Sequence, residues 1–333
     1  MTRVGLLRGV ATGLHRAGLS GGLATAAAWT GREPAFPILT YHRVNDHHDP
    51  FFGALSTQVF ESQVQHIARH YEVLPVEELA DRMAAGTVPR TAAAITFDDG
   101  YRDTLTDAAP ILARSGLRAT VFLATGFIGT NEVPWYDRLA SAFKLSPRST
   151  VSLPSGEELA FETVRERLAA LARTRSVLKT LPEEQFQREF DRVLEELGSS
   201  DRPSPENAML TWEDVRALRE RGFRIGAHTV SHPILSRVTV ERARTEIVGS
   251  REMIREGCGT VPRAFAYPNG GSSDYTAAVV DVVREAGFTC AVTTRFGLNT
   301  ARTSRWELYR GQPWEEHLPT FALKLAWYRM TLR

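Results

Sequence analysis

Residues 92–100, Ala-Ala-Ala-Ile-Thr-Phe-Asp-Asp-Gly, form a largely apolar run that ends in two aspartates and a glycine. Such a run, with little alternation between apolar and polar residues, is typical of a strand in a parallel sheet that is buried on both faces. Asp98 and Asp99 then lie at the carboxyl end of the strand, where α/β barrels carry their active sites. Adjacent carboxylates repel each other unless a cation neutralises them. The pair therefore indicates a cation site or, taken alone, a simple Asp-Gly turn.

Similar apolar runs recur along the chain, separated by helical patterns. The predicted strands are Pro37–Tyr41, Ala92–Phe97, Ala119–Ala124, Phe223–His228, Ala264–Tyr267 and Thr289–Thr293. Strands that alternate with helices in this way predict an α/β fold, either a barrel or an open sheet.

The predicted helices carry recognisable ends. Thr211, with Asp214 three residues later, resembles a capping box at a helix start. The apolar spacing after Val240 predicts a helix that Gly257 closes. Residues 131–208 differ, because charged helical patterns dominate there, and we interpret this region as a helical insertion into the α/β domain.

The composition excludes a disordered chain, a collagen-like fibre and a disulfide scaffold. The chain has 333 residues, 43% of them hydrophobic and 24% charged, which is ordinary for a globular protein. A net charge of +1 offers no electrostatic footprint for nucleic acid, so no nucleic-acid partner is expected. Cys258 and Cys290 are too few for a disulfide framework and are predicted to be small buried residues, with pairing as the alternative.

The two ends differ from the central barrel region, predicted at 37–310. Residues 1–36 resemble a poor signal peptide or a basic amphipathic helix on a membrane surface. Residues 311–333 form a second amphipathic tail, so peripheral membrane contact through the terminal segments is an expectation. No apolar run reaches the roughly 18 residues that a spanning helix needs.

Residues 228–233, His-Thr-Val-Ser-His-Pro, also follow a predicted strand. Two neutral imidazoles four residues apart can reach one metal ion. This spacing alone is weak, since His66 and His70 repeat it on a helix of surface type. Combined with one aspartate of the first motif, the two histidines make a three-ligand hydrolytic metal site, and the second aspartate is free to act as a base.

A third motif, Phe265–Gly271, follows a predicted strand and must turn sharply. Its exposed N–H groups can stabilise an oxyanion, or the segment is a strand-ending turn without chemistry. In this order, the three motifs resemble the polysaccharide deacetylases of carbohydrate esterase family 4, which have the NodB-homology fold. The resemblance covers about residues 37–130 and 209–310 and implies a distorted (β/α) barrel of about seven strands. By resemblance, the catalytic base is Asp98 and the metal ligands are Asp99, His228 and His232.

The third motif departs from the family pattern, because Phe265-Ala266-Tyr267-Pro268 lacks the usual arginine before the proline. The family's usual acid histidine is also not visible near the C-terminus. A poly-N-acetylglucosamine deacetylase-like subgroup has an N-terminal Tyr-His strand, which Tyr41-His42 resembles. This resemblance implies His42 as the general acid, with a hydrogen-bonded strand-end histidine as the alternative. Arg310 is either an orienter of Asp98 or part of a surface ion pair.

The expected reaction is removal of N-acetyl groups from amino sugars of a polysaccharide or glycan, which yields acetate and a free amine. Two nitrogen ligands and one oxygen ligand suit Zn²⁺, and Fe, Co or Ni would also fit. Trp135 opens the insertion and is expected either to stack on sugar rings or to pack against the barrel. The candidates for oxyanion or substrate contacts are Tyr267, Pro268 and Asn269, with a backbone N–H near Asn269 facing the oxyanion.

Two further enzyme activities share this type of scaffold, namely O-acetyl esterases and amidohydrolases of small molecules. A glycan-binding protein without activity is the alternative from another class. The resemblance favours the cell envelope or the extracellular side as the compartment. The poor signal peptide leaves the cytoplasm and the membrane surface open.

Overall fold

The computed structural model describes residues 8–9, 11–13, 33–198, 208–311 and 315–331. The main sheet comprises β1 (Ile38–Tyr41), β2 (Glu72–Val73), β3 (Ala92–Phe97), β4 (Thr120–Leu123), β7 (Arg224–Ala227), β8 (Ala264–Ala266) and β9 (Cys290–Val292). Their order is β1-β3-β4-β7-β8-β9, with β2 beside β3, and every pairing is parallel. The predicted α/β barrel is therefore confirmed. Only β2, which is two residues long, has no counterpart among the predicted strands.

Helices surround this sheet. They are α1 (Thr57–His70), α2 (Val76–Ala85), α3 (Ala109–Arg114), α4 (Trp135–Leu145), α5 (Val164–Leu178), α6 (Glu183–Glu196), α7 (Trp212–Glu220), α8 (Val240–Cys258), α9 (Ala277–Glu285) and α10 (Leu318–Thr331). A π-helical turn precedes α3 at Thr104–Ala108, and a 3-10 turn follows β4 at Thr125–Phe127.

The barrel is closed by residues 308–311, which lie between β9 and β1. On one side, Leu308 N–H donates to the Ala291 carbonyl at 2.9 Å. On the other, Gly311 N–H donates to Ile38 O at 2.8 Å and its carbonyl accepts from Thr40 N–H at 2.9 Å. These bonds carry residues 308–311 across the gap between the two edge strands and place residue 310 at the inner wall.

Side chains of β3 alternate between two apolar clusters. Ala92 and Ala94 belong to the inner cluster, which α2 covers with residues such as Leu79. Ile95 and Phe97 instead belong to the outer cluster, which includes side chains of α1 and α8. Because side chains alternate along a strand, Thr96 and Asp98 point to the same inner face as Ala92 and Ala94.

The insertion has an apolar core of its own. It contains α4, a hairpin of β5 (Thr150–Ser152) and β6 (Glu158–Ala160), α5 and α6. Phe143, Phe161 and Phe190 are almost fully buried in this core. The charged helical patterns predicted in this region are confirmed as helices, among them α5 and α6, whereas the hairpin was not expected because its strands are only three residues long. Most of the Ser/Pro-rich stretch at 198–207 lies outside the described residues.

The C-terminal helix α10 packs on the outer layer through Phe321 and Leu325, which join the cluster that includes α1. Most of residues 1–36 lies outside the described part of the chain. Where the chain is described, no helix is both long and apolar enough to cross a membrane. Cys258 and Cys290 are buried and unpaired, which confirms the expectation of small buried residues.

Two helix-end predictions had different outcomes. The capping box at Thr211 is confirmed, since its hydroxyl accepts from Asp214 N–H at 3.1 Å and Asp214 Oδ2 accepts from Thr211 N–H at 3.0 Å. The prediction that Gly257 closes α8 is wrong. The helix continues to Cys258 and ends at Gly259, whose φ of 67° is left-handed. Gly257 lies inside α8, where a Cβ would come within 2.2 Å of the Trp212 ring.

Gly257→Ala is therefore expected to destabilise the protein by about 1–3 kcal/mol through overpacking against Trp212. In an open helix the same change would stabilise by up to about 1 kcal/mol. Urea unfolding of the two proteins measures the difference. Thr245→Ala, at an exposed position of the same helix, serves as the control and should be neutral or slightly stabilising. A more stable Gly257→Ala protein would contradict this account of the contact.

Candidate active site and metal centre

Most of the side chains predicted to carry chemistry meet at the carboxyl edge of the sheet. They surround a cavity of about 390 Å³. Because parallel strands all end at the same edge, loops that are far apart in sequence converge there. The cavity is lined by His42 after β1, Asp98 and Asp99 after β3, His228 and His232 after β7, and Asn269 after β8.

Asp99 lies at the centre of the triad. Its Oδ1 is 3.5 Å from Nε2 of His228 and 3.5 Å from Nε2 of His232, and all three residues are buried. Asp99 has a φ of 72° and His232 a φ of 57°, in the left-handed region that costs a residue other than glycine about 1–3 kcal/mol. Gly100 follows with a φ of 93°, and a Cβ there would lie 2.8 Å from Ile128 Cδ1.

The triad has the chemistry of a divalent metal site. Asp99 Oδ1 is buried and has no hydrogen-bond partner, as expected of an oxygen that would face a cation. His228 Nδ1 lies 2.7 Å from the Ala266 carbonyl, which only accepts, so Nδ1 carries the proton and Nε2 presents its lone pair. Burial, followed by the neighbouring His228, lowers the pKa of His232 to about 3, against the opposing effect of Asp99. Both imidazoles are therefore suited to coordination as neutral ligands.

Glu246 of α8 holds the histidine loop in place. Its Oε2 accepts from the N–H groups of Val230 and Ser231, each at 2.8 Å, and its Oε1 accepts from the Ser231 hydroxyl at 2.7 Å. The motif analysis did not find this residue. A signal was present, because Glu246 stands beside Ile247 on the apolar side of α8, and a carboxylate there requires buried partners.

Arg310 is bound to Asp98. Its Nη1 and Nη2 donate to the two carboxylate oxygens at 2.7 Å each, and its Nε donates to the Thr293 carbonyl at 2.7 Å. Both side chains are at most 2% exposed, so this is not a surface ion pair. Burial favours the neutral acid, but the charge and hydrogen bonds of Arg310, together with the neighbouring histidines, outweigh it and lower the pKa of Asp98 to about 2. Arg310 thus contacts both oxygens of the predicted base, and its orienting role stays a prediction.

His42 lies directly after β1, whose last residue Tyr41 pairs in register with Phe97. One step further along the same register places His42 beside Asp98. Its Nδ1 is buried and without a hydrogen-bond partner. Asn269 has a φ of 57°, and its side-chain Nδ2 is likewise buried and unpartnered.

The structure corrects part of the third motif. Tyr267 is not at the cavity, because strand parity turns it outward, where its ring stacks on Tyr275 at 4.2 Å and its hydroxyl donates to Trp306 O at 3.0 Å. Pro268 is buried, and its carbonyl accepts the Gly270 N–H at 2.7 Å, so it shapes the turn. The N–H groups after Asn269 are therefore already engaged: the Gly271 N–H donates to Asp274.

Trp135 does not line the metal cavity. It faces a second cavity of about 380 Å³ between the insertion and the histidine loop, and its ring packs edge-on against Phe186 and Phe190. His232 and Lys179 line both cavities, which are therefore adjacent.

The insertion also supplies one wall of the metal cavity through α4. Asp137 accepts from Arg43 Nη2 at 2.9 Å and from the Tyr101 hydroxyl at 2.9 Å, in full burial. The Tyr136 ring meets His232 edge-on at 5.2 Å. These buried contacts fix the insertion against the site, and short-range sequence patterns do not indicate them.

Comparison with known proteins agrees with this fold. The family model for polysaccharide deacetylase matches residues 85–291, and the chain belongs to that family. The Bacillus subtilis protein YxkH is 30% identical over 107 residues, which are 31% of this chain and 37% of that protein. The chain thus spans little more than a third of the length of the curated relative it matches.

Two solved structures are similar in fold. The Streptococcus pyogenes deacetylase PplD in complex with acetate has a TM-score of 0.57 at 19% identity, over 84% of this chain and 92% of that chain. IcaB from Ammonifex degensii has a TM-score of 0.57 at 18% identity, over 90% and 98% of the two chains. Both similarities concern the fold.

Glu246→Ala should weaken the binding of zinc by about 10–100-fold, because the histidine loop loses its anchor. The free energy of unfolding should also fall by about 1–3 kcal/mol, since buried N–H groups lose their acceptor. Competition against a chromophoric chelator measures the first effect. Glu252→Ala, on the same helix, removes only surface pairs with Arg255 and Arg251 and should leave zinc binding unchanged. Unaltered zinc affinity in Glu246→Ala would refute the anchoring role.

Proposed function

We propose that this protein is a metal-dependent deacetylase that releases acetate from N-acetylated amino sugars of a glycan. The observation that carries the proposal is the buried triad of Asp99, His228 and His232, with the ion-paired Asp98 beside it. Two neutral nitrogens and one carboxylate favour Zn²⁺, and they also accept Fe, Co or Ni. A divalent cation held by the triad would supply Lewis acidity, lowering the pKa of water and polarising the acetyl carbonyl.

Asp98 is the proton acceptor in this mechanism. Arg310 keeps Asp98 ionised over the whole physiological pH range. The same ion pair makes the Asp98 carboxylate a weaker base. Water loses one proton to Asp98 as its oxygen adds to the carbonyl carbon. The Asn269 side-chain amide, an unpartnered donor at the cavity wall, faces the oxygen that gains charge. His42 then donates a proton to the nitrogen as the C–N bond breaks, and acetate and an amine result.

The first test is acetate release from N-acetylglucosamine oligomers, with and without a chelator. We expect release that stops on chelation and returns with zinc. Asp98→Asn should abolish turnover, because the acceptor is lost, while metal content measured by elemental analysis stays near that of the wild type. Turnover that survives in Asp98→Asn would refute the base assignment.

A matched pair of histidine variants tests the triad. His228→Ala should lose the metal, since only two ligands remain. His70→Ala serves as the control, because His66 and His70 have the same spacing on α1, away from the cavity. Normal metal content in His228→Ala would contradict the triad, and acetate release only from O-acetylated sugars would favour an esterase.

The acid role of His42 has a separate test that depends on the leaving group. An amine must be protonated as it departs, whereas nitrophenolate leaves without a proton. His42→Ala should therefore slow deacetylation of the sugar by about 10²–10⁴-fold, and slow hydrolysis of 4-nitrophenyl acetate far less. The control is His47→Ala, at an exposed position in the next loop. An equal loss on both substrates would exclude a role in leaving-group protonation.

A further inference from the structure

Two cations of the insertion reach the metal cavity from α5. Arg175 lies in the last turn of this helix, and Lys179 is the residue at its C-terminal end. Both line the cavity that contains the triad, and Lys179 also lines the second cavity. Neither belongs to the three sequence motifs.

Neither cation has a carboxylate partner within the described part of the chain. Arg175 Nη2 donates a long hydrogen bond to the Tyr136 carbonyl, at 3.4 Å, and its Nε is buried without a hydrogen bond. Lys179 is partly buried, and its amine has no ion pair or hydrogen bond with the described residues. By contrast, Arg173 on the same helix pairs with Glu157 at 2.7 Å.

The two positive charges also repel each other. Burial lowers the pKa of the Lys179 amine, and Arg175 lowers it further, while Asp274 and Asp99 act in the opposite direction. Holding two partly buried like charges together without a counter-charge costs stability. Charged residues that destabilise the folded protein are more often retained because they bind a ligand.

The remaining charges of the cavity do not neutralise these cations. Asp98 is paired with Arg310, and Asp137 is paired with Arg43. Asp99 and Asp274 are left. A divalent ion on the triad would more than neutralise Asp99, and Asp274 offsets at most one of the two cations. Once loaded, the cavity has an excess of positive charge, which a neutral N-acetylated sugar does not balance.

We propose that Arg175 and Lys179 form an anion subsite, and that the substrate is an acidic glycan with a carboxylate or phosphate close to the acetylated nitrogen. This inference rests on the proposed deacetylase function. The oxyanion lies between the two cavities, against Lys179, while the acetyl group faces the triad. A neighbouring sugar then extends into the second cavity, whose walls include the aromatic residues Phe127, Trp135 and Phe186. The subsite selects the substrate, and the triad carries out the reaction.

Binding to the zinc-loaded full chain, with Asp98→Asn in every protein compared so that nothing is turned over, tests the subsite by calorimetry. The probes are a neutral N-acetylglucosamine oligomer, an oligomer of equal length that alternates N-acetylglucosamine with glucuronic acid, and a phosphate-substituted N-acetylglucosamine oligomer. We expect at least one acidic oligomer to bind about tenfold or more tightly than the neutral one, as is typical of charge-assisted hydrogen bonds. Preference for the uronate or for the phosphate identifies the source of the oxyanion.

Lys179→Gln and Arg175→Gln should each reduce the ratio of acidic to neutral affinity at least fivefold, and Lys179→Arg should retain it because the charge remains. Arg173→Gln is the control on the same helix and should leave the ratio unchanged, since its side chain is exposed and faces Glu157. Thermal unfolding establishes that each variant is folded. If a glutamine variant does not fold, the ratios of acidic to neutral affinity in the wild type and in the charge-retaining Lys179→Arg still decide whether acidic glycans are preferred.

Equal affinity for acidic and neutral oligomers would overturn the inference, and so would an equal loss of preference in Arg173→Gln. Binding of free acetate that depends on Lys179, without any preference for acidic glycans, would assign the cations to the product and also overturn it. Acetate release by the zinc-loaded enzyme is scored separately. Absence of release from every oligomer would refute the deacetylase proposal, while the binding ratio would still decide the subsite.

Discussion

Arg310 and Asp98 join the last segment of the barrel to the strand of the first motif, through two hydrogen bonds of 2.7 Å in a buried setting. Removing one partner of such a pair leaves a buried charge and costs about 3–5 kcal/mol. Thr96 and the Thr293 carbonyl accept further N–H groups of Arg310, so the guanidinium also ties β3 to the end of β9. Barrel closure and the ionisation of Asp98 therefore depend on the same side chain.

The site also concentrates backbone strain. Besides Asp99, the residues Thr229, His232 and Asn269 have positive φ values of 67°, 57° and 57°. Each costs free energy that the surroundings must offset. In the histidine loop the offset comes from Glu246, and Thr229 Oγ1 adds a hydrogen bond from His232 N–H at 3.1 Å. This strain directs side chains from three loops, those after β3, β7 and β8, into one cavity.

The insertion completes one side of that cavity. Its apolar cluster includes Phe52 of the loop after β1, and the Arg43–Asp137 pair joins it to the same loop. The barrel thereby supplies the reacting groups, whereas the insertion supplies the wall that a substrate must pass. Such a division lets specificity change without disturbing the metal ligands.

Short-range sequence patterns were sufficient to predict much of the fold and the triad of this protein. Buried strands appear as apolar runs, and the Asp-Asp and His-x-x-x-His motifs at strand ends identify the triad, because parallel strands bring their carboxyl ends to one edge. The turn outward of Tyr267 was also implicit, since side chains alternate along β8, but the motif alone did not show it.

Only the tertiary structure decided the rest. Residues 308–311 have no strand pattern of their own, and their pairing depends on the gap left between β9 and β1. Whether Arg310 lies inside or outside follows from that closure. Gly257 resembles a helix end until Trp212 of α7 is placed against it. Contacts between distant segments likewise decide that Glu246 has buried partners and that Arg175 and Lys179 have no carboxylate partner among the described residues. Burial and charge pairing depend on three-dimensional proximity, whereas sequence periodicity reports only neighbours along the chain.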